Sequence, residues 1–106
     1  MGFNEELVKQ VWEKARASYD ADSDLWREDE CGAWINRHHY GRRDLEFGWL
    51  IENVSAGGPD TPENLRAFHH GNAFDRAGGH PKCHVSADRT GVASFERTSQ
   101  PRNKNI

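Results

Sequence analysis

What the chain has little of narrows it first. Two cysteines, Cys31 and Cys83, are too few for a disulfide framework, and in a reducing compartment they read as small buried apolar groups. No apolar run approaches the roughly 18 residues needed to cross a bilayer, and no basic stretch followed by an apolar one opens the chain. These absences lead us to expect a soluble, cytoplasmic protein with no membrane partner. Positive charge is also scarce: 14 Lys and Arg face 17 Asp and Glu, for a net charge of −3. General nucleic-acid affinity draws on many cationic contacts to phosphate, so the balance argues against an unspecialised nucleic-acid binder.

Aromatic side chains are what the chain has in supply. Four Trp, five Phe and two Tyr in 106 residues are enough to anchor one small core, which excludes disorder as the main reading. We expect a single domain over residues 1–98 and a frayed polar tail over 99–106. The charge is uneven: residues 1–30 hold nine acids against four bases, and residues 71–106 hold three acids against six bases. The acidic end contributes Asp20, Asp22, Asp24, Glu28, Asp29 and Glu30 as candidate partner-binding residues.

Asn4 suits a helix N-cap, Glu5 and Glu6 suit the positive end of the helix dipole, and Leu7, Val8, Val11, Trp12 and Ala15 recur at helical spacing. This pattern predicts an amphipathic helix over 5–17, and Leu25 to Glu30 reads as a short turn. Residues 33–51 read as short strands and turns, punctuated by Gly41 and Gly48. Thr61-Pro62 then offers a start for a helix over 64–76, stopped at Gly78-Gly79. Val85 and Val92 to Phe95 flank Asp88-Arg89-Thr90-Gly91, a pattern that predicts a small hairpin. The expected packing sets Trp12 over a hairpin carrying Trp34 and Trp49, with Trp26 as core rather than contact surface.

Several short stretches stand in order: Cys31-Gly32-Ala33-Trp34-Ile35, Tyr40-Gly41-Arg42-Arg43, Gly48 to Asn53, Gly57-Gly58 and Asn64-Leu65-Arg66. Together they resemble one lineage of HNH endonuclease domains. The resemblance covers nearly the whole chain and implies an α+β fold: a small HNH-like ββα-metal-type domain behind an N-terminal amphipathic helix. In that family an Asp binds a divalent metal, a His takes a proton from the attacking water, an Asn orients it, and a closing helix adds a ligand. Set on those positions, Glu52 replaces the Asp, Asn53 replaces the His, Asn64 matches the orienting Asn, and Ala73 falls where the helix ligand belongs. An amide accepts no proton at neutral pH, so the general base is gone. His69, His70 and Asn72 are the candidates to rescue such a site.

The resemblance therefore implies a catalytically degenerate pseudo-nuclease that acts as a binding protein, with no catalytic residues, no metal and no cofactor expected. Its partner would be a protein of nucleic-acid-processing or defence machinery, in the manner of a phage or mobile-element inhibitor of the anti-CRISPR type in a bacterial host cytoplasm. The alternatives are a metal-dependent endonuclease or nickase with an altered site loaded with Mg or Mn, and a non-catalytic DNA-binding module. Arg37, Arg42, Arg43, Arg89, Arg97 and Arg102 are the candidate nucleic-acid contacts. His80, Cys83 and His84 with Cys31, His38 and His39 offer nitrogen and sulfur for zinc, but no Cys-x-x-Cys spacing supports it.

Overall fold

A computed structural model describes residues 3–18, 21–89 and 101–106. The N-terminal helix α1 spans Glu5–Lys14. Asn4 caps it as predicted, its Oδ1 accepting the Leu7 N–H at 2.8 Å. The helix stops short of residue 17 because Arg16 exchanges two backbone hydrogen bonds with Glu28, which pulls the chain into an extended bridge.

The rest is built from short antiparallel pairs. Strand β1 (Trp26–Glu28) pairs with β2 (Trp34–Asn36), and β3 (Trp49–Asn53) with β4 (Leu65–His69). Strand β5 (Ala73–Asp75) pairs with β6 (His80–Lys82), and β7 (Val85–Ala87) with β8 (Asn103–Asn105). Short 3₁₀ turns at Arg37–His39 and Pro62–Asn64 lead out of β2 and into β4.

The β3–β4 pair is the centre of the molecule. Its register sets Trp49 opposite His69, Ile51 opposite Ala67 and Asn53 opposite Leu65, so alternate side chains of the two strands share one face. Trp49, Leu65 and Ala67 join Val11, Trp12 and Ile35 in the main core, with Phe3, Leu7, Val8, Tyr40 and Ile51 packed around them. The Trp12 and Trp49 rings lie 5.4 Å apart, and each indole N–H has a carbonyl, Ser23 for Trp12 and Asn36 for Trp49. On the opposite face Phe68 meets Phe74 of β5, ring centroids 6.3 Å apart. Gly48, just before β3, has a backbone reason: a Cβ there would sit 1.6 Å from the Arg42 carbonyl oxygen.

Several expectations need correction. The ββα-metal fold is overturned: the molecule is a set of small two-stranded antiparallel sheets with one helix. The closing helix expected over 64–76 is the 3₁₀ turn followed by β4 and β5, because Leu65 to His69 find a full-length strand partner in β3, and that pairing outweighs local helix preference. Strand β7 pairs with β8; the hairpin expected across Asp88-Arg89-Thr90-Gly91 falls on 90–95, which lie outside the described residues. The tail over 99–106 thus contributes a strand, pinned by Asn103, whose carboxamide accepts the Trp34 N–H at 2.8 Å and donates to the Trp34 carbonyl at 3.0 Å. Trp34 and Trp49 stand in separate sheets, and Trp26 is half-buried, edge-on to Phe47.

Candidate functional site

Asp29 and Asn72, expected as a partner contact and a catalytic rescue residue, meet in the interior instead, 2% and 6% exposed. Asp29 Oδ1 accepts the N–H groups of Cys31 and Ala33, each at 2.9 Å. Its Oδ2 accepts the His69 N–H and the Asn72 amide, again at 2.9 Å. Asn72 gives its second amide proton to the Val85 carbonyl and accepts the N–H groups of His84 and Val85. Both amide protons and both acceptor positions of Asn72 are occupied. One buried carboxylate and one buried amide thus tie the β1–β2 turn, the end of β4 and the start of β7 to one point.

A covalent link closes the same region. Cys31 and Cys83 form a disulfide with a Cα–Cα distance of 5.5 Å. This corrects the reading of the two as apolar thiols, and removes both from any zinc set. The bond is reinforced by Ser86, whose hydroxyl donates to the Cys31 carbonyl at 2.9 Å. Sequence reasoning passed over it because two cysteines 52 residues apart carry no spacing signal.

The nuclease-like positions are held by their surroundings. Asn53 donates to the Gly58 and Pro59 carbonyls and to Asp60, and accepts the Ser55 N–H at 2.8 Å. Asn64 donates to the same Pro59 carbonyl at 3.0 Å. The two amides therefore converge, but on the loop between β3 and β4. Glu52 accepts the Phe74 N–H at 2.9 Å, which docks β5. Ala73 sits in β5 opposite Lys82.

His69 is buried, with Nδ1 accepting the Gly71 N–H at 2.9 Å and Nε2 against the Glu46 carbonyl. That pattern fixes the neutral tautomer protonated on Nε2. Burial pushes its pKa below the usual 6.5, only partly opposed by the Glu46 carbonyl. His70 stacks on it at 4.3 Å and meets the Leu45 carbonyl. Neither ring nitrogen of His69 is open to a substrate.

Asn72 has no spare oxygen lone-pair position and Ala73 offers no ligand atom, and among the described residues no group of three or more His, Cys, Asp or Glu is gathered to hold a metal ion. The set Glu52, Asn64, Asn72 and His69 or His70 is spread over β3, the 3₁₀ turn before β4, the end of β4 and the interior hub.

The acidic cluster is partly spent on internal contacts. Glu28, 8% exposed, pairs with Arg16 at 3.3 Å and with Arg89; Glu30 pairs with Arg66. Asp22 and Asp24 are exposed, Asp22 accepting the Asp24 N–H, while Asp20 lies outside the described residues.

Among the candidate cations, Arg89 is committed to Glu28 and lies 5.2 Å over Trp34, and Arg42 pairs with Asp44 through two contacts of 2.9 and 2.7 Å. That pairing holds the exposed Asp44 carboxyl at a pKa of about 2. Arg43 and Arg102 are exposed, and Arg97 lies outside the described residues. Arg37 differs from all of these. It is half-buried and has no ion pair or side-chain hydrogen bond among the described residues.

Arg37 lines a groove of about 500 Å³ between α1 and the 3₁₀ turn after β2. Phe3, Val8 and Tyr40 form its apolar walls, over the edges of Trp12 and Trp49. Lys9 and His38 line the groove together with Arg37, and Glu5 is the acid among the lining residues. The sequence reading had named Arg37 but missed the ring surface beside it, because Phe3 and Tyr40 are brought together only by the packing of α1 on β3.

Comparison with family profiles, with curated proteins and with solved structures gives no match.

Proposed function

We propose that this chain is a non-catalytic binding protein, in which the residues at the HNH-like positions serve to build structure. One observation carries the reading: Glu52, Asn53, Asn64, His69 and Asn72 each make hydrogen bonds to the chain's own backbone. Asn53, at the general-base position, spends its amide on three acceptors of the following loop. General-base catalysis requires a proton-accepting atom within reach of water, and is worth about 10²–10⁴ in rate. Neither an amide nor the occupied His69 ring supplies one.

The partner in this reading belongs to nucleic-acid-processing or defence machinery, as an anti-CRISPR-type inhibitor would require, and this part rests on the HNH resemblance. Asp22 and Asp24 remain as the acidic surface for a protein partner. Among the described residues no helix is long and apolar enough to cross a membrane. A cytoplasmic setting stays within the proposal, with Cys31 and Cys83 there reduced to thiols and the Asp29–Asn72 hub holding the fold without them.

The test is plasmid cleavage with Mg²⁺ or Mn²⁺. The expected result is intact plasmid at high protein concentration, for the wild type and for Asn53→His alike, because the new imidazole inherits a loop-holding position. Nicking that is abolished by Glu52→Ala would overturn the reading in favour of an altered nuclease.

A further inference from the structure

Most arginines among the described residues have a partner. Arg16 pairs with Glu28, Arg66 with Glu30, Arg89 with Glu28 and Arg42 with Asp44. Arg27 donates to the carbonyls of Ser23, Glu13 and Ala15. Arg76 and Arg43 lack such partners but are exposed, where water serves them. Arg37 alone among the described arginines combines partial burial with no partner. Withdrawing a guanidinium from water without a compensating anion is unfavourable, so a half-buried unpaired one is a place where an added anion gains most.

The surroundings define what kind of anion. Lys9 is also without an ion pair among the described residues, and with Arg37 it outweighs Glu5 in the groove. Beside them stand the half-buried rings of Phe3 and Tyr40. Cations that follow a chain of phosphates, interleaved with ring faces that accept bases, are the physical recipe for single-stranded nucleic acid. A duplex keeps its bases stacked on each other and leaves the rings unused. An acidic peptide satisfies the cations but likewise brings no planar surface to the rings. The groove volume of about 500 Å³ suits one or two nucleotides rather than a folded partner.

We propose that the groove between α1 and the Arg37–His39 turn binds single-stranded nucleic acid, with Arg37 and Lys9 on phosphate and Phe3 and Tyr40 against a base. This rests on the binding-protein reading and adds a second ligand, separate from the protein partner on the acidic surface. The negative net charge of the chain weakens long-range attraction, so the binding is strongest at low salt.

Fluorescence polarisation of a short labelled oligothymidylate, titrated with the full chain at roughly 20 mM salt, tests the proposal. The expected result is saturable binding that Arg37→Gln weakens roughly tenfold and Lys9→Gln by about threefold, while Arg76→Gln leaves it unchanged. Phe3→Leu keeps an apolar wall, removes a ring and is expected to weaken binding about fivefold. No saturable binding, or binding indifferent to Arg37→Gln, overturns the proposal. So does equal affinity for the matching duplex, or for a polyglutamate peptide, since either shows a site that reads charge alone. Probe integrity on a gel after each titration reports separately on the binding-protein reading: a cleaved probe sinks that reading, and Arg37-dependent binding stands or falls on its own.

Discussion

Two parts of this molecule are held together by opposite means. Where α1 packs on β3 and β4, the contact is apolar: Val11, Trp12, Ile35, Trp49 and Leu65 are at most 1% exposed and their indoles find nearby carbonyls. Where the β1–β2 turn meets β7 and the end of β4, the contact is polar and covalent, made of Asp29, Asn72 and the Cys31–Cys83 bond. An apolar core tolerates replacement by anything of similar size and shape. A buried polar junction tolerates almost nothing, because each removed partner leaves a donor or acceptor with neither water nor protein to satisfy it. The two parts should therefore fail differently.

The largest effect is expected at Asp29. Asp29→Ala strips the acceptor from four N–H donors at once, including those of Cys31, Ala33 and His69. The expected cost is about 4–5 kcal/mol, a large share of the roughly 5–15 kcal/mol that a domain of this size commands. Asp29→Asn should recover less than half of it, since one oxygen becomes an amide facing N–H donors. Urea denaturation followed by Trp fluorescence measures both. A loss under 1 kcal/mol for the alanine variant would mean that the junction is solvated and the contrast drawn above is wrong.

The disulfide comes next. It closes a loop of 52 residues, for which the chain-entropy account allows up to about 4 kcal/mol. Reduction, or the paired change Cys31→Ser and Cys83→Ser, is expected to cost about 2–4 kcal/mol while leaving a cooperative transition. The hub still ties the same segments, through Asp29 to Cys31 and through Asn72 to His84 and Val85. Complete loss of the transition on reduction would show that the polar hub holds nothing without the covalent bond, and would count against a reducing compartment.

The same contrast explains how much was legible in the sequence. The apolar part was readable: Asn4 as cap, the helical face through Leu7, Val11 and Trp12, and the strand-and-turn character after residue 33 all have local signatures. The polar part was not. Nothing near Asp29 in sequence separates a carboxylate that organises four N–H groups from one on a solvated acidic run, since its partners lie up to 43 residues away. Leu65 to His69 was misread as helix because strand or helix was decided by β3, another element altogether. The HNH-like order of residues gave positions for Glu52, Asn53, Asn64 and Ala73 but no account of their partners, and the partners are what argue against catalysis.

The smallest of the expected effects lies at the border of the two parts, at His69. Its ring packs opposite Trp49 in the β3–β4 register while its backbone N–H joins the Asp29 hub. Burial lowers its pKa below 6.5, with the neighbouring His70 acting in the same direction and Asp29 and Glu46 opposing. The unfolded chain therefore takes up the proton at higher pH than the folded one. Stability contributed by the neutral ring is fully present above pH 6.5 and is lost progressively as pH falls from there through the folded pKa. The shifted carboxylates do not interfere, because Asp44, Asp75 and Glu63 are lowered from 3.8, 3.8 and 4.5 and act below that window. Denaturation midpoints taken between pH 7.5 and 5 should fall with pH in the wild type and run flatter in His69→Gln, at roughly constant denaturant slope. An equal slope in both proteins would assign the pH dependence to other groups. A midpoint that rises on acidification would mean that the ring gains a proton on folding, contrary to the Gly71 N–H aimed at its Nδ1.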